Sequence, residues 1–233
     1  YYNDPIRYSS YNSFDSQLVK SRPLITVVIP TLNRYVYLKD VLRDLEKQTY
    51  KHFEVIVVDQ TDPFDERVYE GWNLDLRYWY QAEKELWKAR NDAILSAKGE
   101  YILLYDDDSL IDEDWIEQHL KTLDFFNADL SSGVSISTVG AKVPAHYSYF
   151  RWSDQLDTGN VLFRKDLTEK IGLFDTKFEI LDSSKGRMQT TKGIWMAKNG
   201  SENILIFDIE GTDSKERGEQ RLTFEQTTSL FAL

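Results

Sequence analysis

Two nearly unbroken apolar runs, Leu24-Ile25-Thr26-Val27-Val28-Ile29 and Phe53-Glu54-Val55-Ile56-Val57-Val58, stand out in a chain that otherwise mixes apolar and charged positions. Runs of this length without alternation suit parallel strands buried on both faces. The first closes at Pro30 and the second at Asp59. Between them Leu38, Val41, Leu42 and Leu45 recur at helical spacing, which predicts an amphipathic helix over 37–48. A shorter strand is predicted over 76–80 and a helix over 86–97, with Gly99 as its terminator. A third apolar run, Tyr101-Ile102-Leu103-Leu104-Tyr105, predicts the next strand, and a further helix starts near Asp112. Strand and helix thus alternate from Pro23 to about Phe125, the pattern of βαβ units in an α/β, doubly wound, mostly parallel sheet with flanking helices. Residues 1–22, rich in Tyr, Ser and Asn without a period, predict an extended arm that packs late or not at all.

In such sheets ligands collect beyond the carboxyl ends of the strands. Pro30-Thr31, Asp59 and the triplet Asp106-Asp107-Asp108 all fall there. Adjacent carboxylates repel and lose hydration on leaving a buried strand, so the triplet needs a cation or strong donors to stay ionised. Hard oxygen ligands select Mn²⁺ or Mg²⁺, ions that take one or two protein carboxylates and complete their shell with phosphate and water. The implied substrate carries phosphate. The bland alternative for the triplet alone is a solvated acidic turn capping the helix near Asp112. No G-x-G-x-x-G follows the first strand and no G-x-x-x-x-G-K-[ST] occurs, so a metal rather than a glycine loop would hold a diphosphate.

At 233 residues the chain fits one α/β domain or one and a half smaller ones. A net charge of -11 argues against nucleic acid as a partner. The absence of cysteine excludes disulfides, thiolate catalysis and cysteine-bound zinc. No apolar stretch approaches the roughly 20 residues of a transmembrane segment, and the start lacks a signal pattern. The expectation is a soluble, cytoplasmic protein, with peripheral contact at the inner membrane face left open. At such an address the sequon Asn199-Gly200-Ser201 has no role.

The motifs Val27-Val28-Ile29-Pro30-Thr31-Leu32-Asn33-Arg34, Val55-Ile56-Val57-Val58-Asp59, Ala89-Arg90-Asn91, Asp106-Asp107-Asp108, and Gly159-Asn160 followed by Gly172-Leu173-Phe174-Asp175 occur in an informative order. Over residues 23–178 the chain resembles glycosyltransferase family 2, inverting enzymes with the Rossmann-like GT-A fold. The resemblance implies a UDP- or GDP-sugar donor and a glycan or lipid-linked hydroxyl acceptor, as in polysaccharide or glycoconjugate synthesis. It implies that Pro30, Thr31 and Asp59 hold base and ribose and that Arg90 lies near the diphosphate. Asp106 would face the ribose or a metal-bound water and count with Asp108 among the metal residues, with Asp107 beside it among the substrate-binding residues. Asp108 would bind the metal that offsets charge on the leaving diphosphate. Asn160 would belong to the acceptor side.

Plainer roles stay open: Asp59 as a strand-end turn former, Arg90 paired with Asp92 or Glu83 on a helix surface, and Asn160 as a turn residue. Trp79, Tyr80 and Trp87 read as core or rim packing before a sugar platform. Among His52, His119 and His146, only His146 is a conceivable metal ligand. Glu85 and Ala93 stand where family members often have glycine. After Phe178 the chain has Glu179-Ile180-Leu181-Asp182 where the family has a glycine-rich turn and an acidic pair, so Glu179 and Asp182 are the candidates for the catalytic base.

The tail, 179–233, resembles the switch region of the Sey/root-hair-defective type of dynamin-superfamily GTPases, through Gly186-Arg187-Met188-Gln189-Thr190-Thr191-Lys192-Gly193-Ile194-Trp195 and Ile204-Leu205-Ile206-Phe207-Asp208-Ile209-Glu210-Gly211. In a complete GTPase, Thr191 or Thr190 would meet Mg²⁺ and the γ-phosphate, and Asp208 with Gly211 would sense it. Without a phosphate-cradling loop, these residues have no nucleotide to contact. The expected architecture is therefore an arm over 1–22, a nucleotide-sugar domain over 23–178, and a short α/β tail replacing the usual end of the acceptor site. The rival readings are a fragment of a membrane-remodelling GTPase and an inactive chimeric fusion.

Overall fold

The structure, a computed structural model, describes residues 8–133, 158–174 and 176, and the backbone of two strands in the tail. Its main sheet has the order β3-β2-β1-β4-β6-β5. These strands are β1 (Ile25–Thr31), β2 (Phe53–Asp59), β3 (Leu76–Tyr80), β4 (Tyr101–Tyr105), β5 (Leu130–Ser132) and β6 (Asn160–Arg164). β1 pairs in parallel with β2 and β4, β2 in parallel with β3, and β6 antiparallel with β4 and β5. The mostly parallel α/β sheet expected from the alternation is what forms. In register, Thr31 faces Asp59 and Asp59 faces Tyr80, so the carboxyl ends of the first three strands share one rim.

Both faces of β1 and β2 are buried. On one face Val27, Ile29, Val55, Val57 and Leu103 pack against Leu38, Val41, Leu42 and Leu45 of α3 (Tyr35–Lys47) and Ile116, Leu120 and Leu123 of α5 (Trp115–Phe126). On the other face Val28, Ile56, Val58, Ile102 and Leu104 meet Trp87, Ala89, Ala93 and Ile94 of α4 (Leu86–Ser96). Each large side chain so buried contributes about 1.5–3 kcal/mol, which is why β-branched runs end up in the middle layer. Gln48, just past α3, donates to the Asp112 carbonyl and accepts from the Ile116 amide, binding the start of α5 to the end of α3.

Two expectations need correction. Residues 8–21 are no extended arm: they form two short helices, α1 (Tyr8–Asn12) and α2 (Gln17–Ser21), docked on α5. The Tyr11 hydroxyl bonds Gln118, Tyr11 and Phe14 meet Phe125 edge-on, and Asp124 accepts from both the Ser16 hydroxyl and the Leu18 amide. These contacts are too far apart in sequence to leave a period.

Gly99 does not end α4, whose cap is Ala97 in extended conformation. Instead it admits β1 at close range: its amide donates to Thr26 Oγ1 at 2.9 Å, and a Cβ there would lie 2.6 Å from the Thr26 backbone nitrogen. Because that neighbour is backbone and cannot swing away, Gly99→Ala is expected to cost about 1–3 kcal/mol in urea denaturation.

A separate antiparallel hairpin in the tail joins β7 (Lys192–Asn199) to β8 (Glu202–Ile209), with Lys192 opposite Ile209. Among the described residues no helix is long and apolar enough to cross a membrane.

Candidate functional site

The rim beyond β1, β2 and β4 is organised by a tight turn. After Thr31 the chain passes through Asn33 in the left-handed region (φ 58°), a conformation Asn tolerates better than most residues, and the Asn33 amide is tied to the Thr61 hydroxyl at 2.8 Å. The turn brings Arg34 over the acidic triplet. One guanidinium nitrogen, Nη1, lies 3.4 Å from Asp107 Oδ1 and also bonds Asp108 Oδ2. The Thr31 hydroxyl donates to the other Asp107 oxygen at 2.6 Å. Asp107 is buried, and that burial pushes its carboxyl pKa up; Thr31 and Arg34 counter this, while Asp108 and Asp106 add to it.

Asp106 turns the other way, to Arg90. The Arg90 guanidinium donates to Asp106 Oδ1 at 2.8 Å and sits 5.1 Å from the centre of the Trp87 ring. It does not pair with Asp92 or Glu83 on the helix surface; Lys88 takes both of those. Its side chain is 2 % exposed, and its Nε and Nη1 are buried without a hydrogen-bond partner among the described residues. Spare buried donors at a rim suit an anionic ligand.

The triplet therefore does not act as one convergent cluster. Repulsion between neighbouring carboxylates is relieved by splitting them between two arginines, and no group of three acids or histidines among the described residues is gathered to hold an ion. The donor chemistry still fits a hard divalent cation. Asp106 and Asp108 are 47 % and 41 % exposed on either side of the inward Asp107, and Arg34 already stands as a cation between Asp107 and Asp108. Two accessible carboxylates, with shell positions left to phosphate and water, are what Mn²⁺ or Mg²⁺ takes from a protein.

Other predicted residues have structural duties. Asp59 is fully buried: Oδ2 accepts from the Tyr35 and Tyr69 hydroxyls at 2.8 and 2.7 Å, and Oδ1 from the Thr61 amide at 2.8 Å. Burial and this carboxylate push the Tyr69 pKa up. Asp59 is thus more than a turn former: it is a buried hub below the rim. Pro30 is buried in β1 beside Val58 of β2.

Asn160 sits opposite Tyr105, and its Oδ1 faces α5, accepting from Trp115 Nε1 and lying 3.0 Å from His119 Nε2. Indole can only donate, which fixes the Asn160 amide; His119 Nε2 must then donate, leaving Nδ1 to accept from the Ser131 hydroxyl at 3.1 Å. Burial holds His119 neutral, with its pKa lowered to about 4. The side-chain oxygen of Asn160 is thus committed to β4–β6–α5 packing. Trp115 and His119, four apart on one helix, were the readable signal for that network.

Sequence reasoning missed one clamp. The Asn91 side chain donates to the Phe174 carbonyl at 2.8 Å and accepts the Phe174 amide at 3.0 Å, while Trp87 stacks on the Phe174 ring at 4.5 Å. Two motifs 83 residues apart are one structural unit. Trp87 is core, as expected, while Tyr80 at the end of β3 is exposed. His52 bonds the Arg22 carbonyl at the surface. Glu179, Asp182, His146, Thr190, Thr191 and Gly211 lie outside the described residues.

The family model for glycosyl transferase family 2 matches residues 26–187, and that for the Root hair defective 3 GTP-binding protein (RHD3) GTPase domain matches 167–233, so the two overlap over 167–187. Protein SEY1 homolog of Dictyostelium discoideum is 52% identical over 66 residues, which is 26% of this chain and 7% of that protein. Protein ROOT HAIR DEFECTIVE 3 of Oryza sativa subsp. japonica is 56% identical over 63 residues, 26% of this chain and 8% of that protein. The chain thus spans less than a tenth of these curated relatives. Among solved structures, the mannosyltransferase PcManGT from Pyrobaculum calidifontis, in complex with GDP-Man and Mn²⁺, superposes with a TM-score of 0.57 at 21% identity, covering 73% of this chain and 53% of that one. S. aureus TarS gives a TM-score of 0.57 at 24% identity, covering 67% and 31%. At these identities the likeness shows the fold.

Proposed function

The chain belongs to glycosyl transferase family 2, and on that premise we propose that it transfers a sugar from a UDP- or GDP-sugar, held with Mn²⁺ or Mg²⁺, to a hydroxyl of a glycan or lipid-linked acceptor with inversion. The observation that carries the reading is the rim itself: two half-exposed aspartates at the end of β4, each matched to an arginine, beside the ends of β1 and β2. Solved neighbours of the same fold hold GDP-Man with Mn²⁺ and UDP-GlcNAc. Asp106 and Asp108 would hold the ion, which supplies charge compensation for the departing diphosphate.

The chain's own groups do the rest. Arg90, fixed by Trp87 and Asp106, sets a positive charge beside the phosphates. Thr31 keeps Asp107 turned inward and out of the ion's shell. Pro30, Thr31 and Asp59 form the floor below base and ribose, Asp59 through the tyrosines it orients rather than by direct contact. Asn160 shapes the acceptor side by holding Trp115. Glu179 or Asp182 is the proposed base that takes the acceptor proton. The site of work is the cytoplasmic face, in polysaccharide or glycoconjugate synthesis. The tail, lacking a phosphate-cradling loop before it in this chain, does not hydrolyse GTP.

The test is ligand linkage. UDP-GlcNAc or GDP-mannose with Mn²⁺, at about a hundredfold excess over Kd, stabilises by about 2.7 kcal/mol, a rise of roughly 5–10 °C in Tm for a domain of this size. Asp108→Asn is expected to abolish the rise, and a non-hydrolysable GTP analogue is expected to produce none. No shift with any UDP- or GDP-sugar would reject the reading.

A further inference from the structure

The two arginines at the acidic triplet are held very differently. Arg90 is buried, stacked over Trp87 and anchored to Asp106, so its guanidinium has nowhere to go. Arg34 is 49 % exposed, and among the described residues its carboxylate partners are Asp107 and Asp108, both reached through the same nitrogen. The backbone beneath it is fixed, since Asn33 is left-handed and its amide is tied to Thr61. Only the half-exposed side chain would have to move to release the triplet. Asp107 has a second donor in Thr31, whereas among the described residues the charge partner of Asp108 is Arg34.

We propose that Arg34 is a displaceable counter-cation of the donor site: it pairs with Asp108 and must release that carboxylate before a divalent ion can take it. The inference rests on the reading of Asp106 and Asp108 as the ion's ligands. The energetics favour exchange. A half-exposed guanidinium–carboxylate pair is worth little in water, while a divalent ion brings twice the charge to the same oxygen. Arg34 therefore keeps the neighbouring carboxylates from splaying apart before substrate arrives, at a modest cost in ion affinity.

Titrating the protein with Mn²⁺ alone, and following free Mn²⁺ by electron paramagnetic resonance, tests this without turnover. Arg34→Gln is expected to bind Mn²⁺ about two- to fivefold more tightly, the worth of the exposed pair it removes. Arg43→Gln removes a charge from α3, the helix that follows Arg34; Arg43 pairs with Asp40 and does not touch the triplet, so the variant's affinity is expected to match the parent. Asp108→Asn is expected to weaken Mn²⁺ at least tenfold. If Asp108→Asn loses the ion but Arg34→Gln binds it no more tightly, or if Arg43→Gln tightens equally, Arg34 is no gate and the inference falls while the ion site stands. If Asp108→Asn binds Mn²⁺ like the parent, the ion assignment itself falls and takes the inference with it.

Discussion

Glu54→Ala is expected to lower the free energy of unfolding by about 3–4 kcal/mol, the scale of breaking a buried charge network by deleting one partner. Glu54 is wholly buried near the start of β2, an odd place for an acid. Four groups account for it: Thr26 of β1 donates at 2.7 Å, the Lys98 amide at 2.7 Å, Arg77 of β3 at 2.9 Å, and the Lys98 ammonium stands at 4.0 Å. Burial pushes the Glu54 pKa up, but the Lys98 amide, Thr26 and Arg77 together hold it below the usual carboxylate range. The sign follows. A depressed folded-state pKa means that the ionised form favours folding, so the contribution is complete above the unfolded value of about 4.3 and is lost as pH falls through the folded value. Urea denaturation of the parent and Glu54→Gln between pH 7 and 3 should therefore show a stability gap that narrows in the acid range. A gap independent of pH would mean that the carboxylate's charge is not what the network holds.

Asp59→Ala is expected to cost about 3 kcal/mol, because it strands two tyrosine hydroxyls and the Thr61 amide at the end of β2. Tyr69→Phe should cost about 1–2 kcal/mol by removing one donor to the same buried oxygen, and the two changes together should cost less than their sum. Chemical denaturation of the single and double variants measures this. The result bears on function. A loss below about 1 kcal/mol would mean that the hub is dispensable and return Asp59 to direct contact with a nucleoside; the full loss makes it the support on which Tyr35 and Tyr69 are posed.

Much of the fold could be read along the chain because burial on two faces demands continuous apolar runs and burial on one helical face demands a 3.6-residue period. Those signals are local, and they placed β1, β2, β4 and α3 to within a few residues. The packing of residues 8–21 was not legible, since Tyr11 and Phe14 find their partners more than a hundred residues away. The role of Gly99 is hidden for a related reason: a glycine after a helix looks like a cap, and only the approach of Thr26 shows what its missing side chain permits.

Legible along the chain were the alternation of strands and helices, the polar strand ends that meet at one rim, and the family to which residues 26–187 belong, because periodicity and motif order are properties of the chain. The tertiary structure alone decided how charge is distributed at that rim. Three consecutive aspartates look like one cluster in sequence, yet successive side chains leaving a strand point in different directions, and each takes the cation that another element brings to it. Arg34 comes from the turn after β1 and Arg90 from within α4. Which carboxylate is buried and which arginine each one meets depends on distances between elements, and those distances exist only once the sheet has closed.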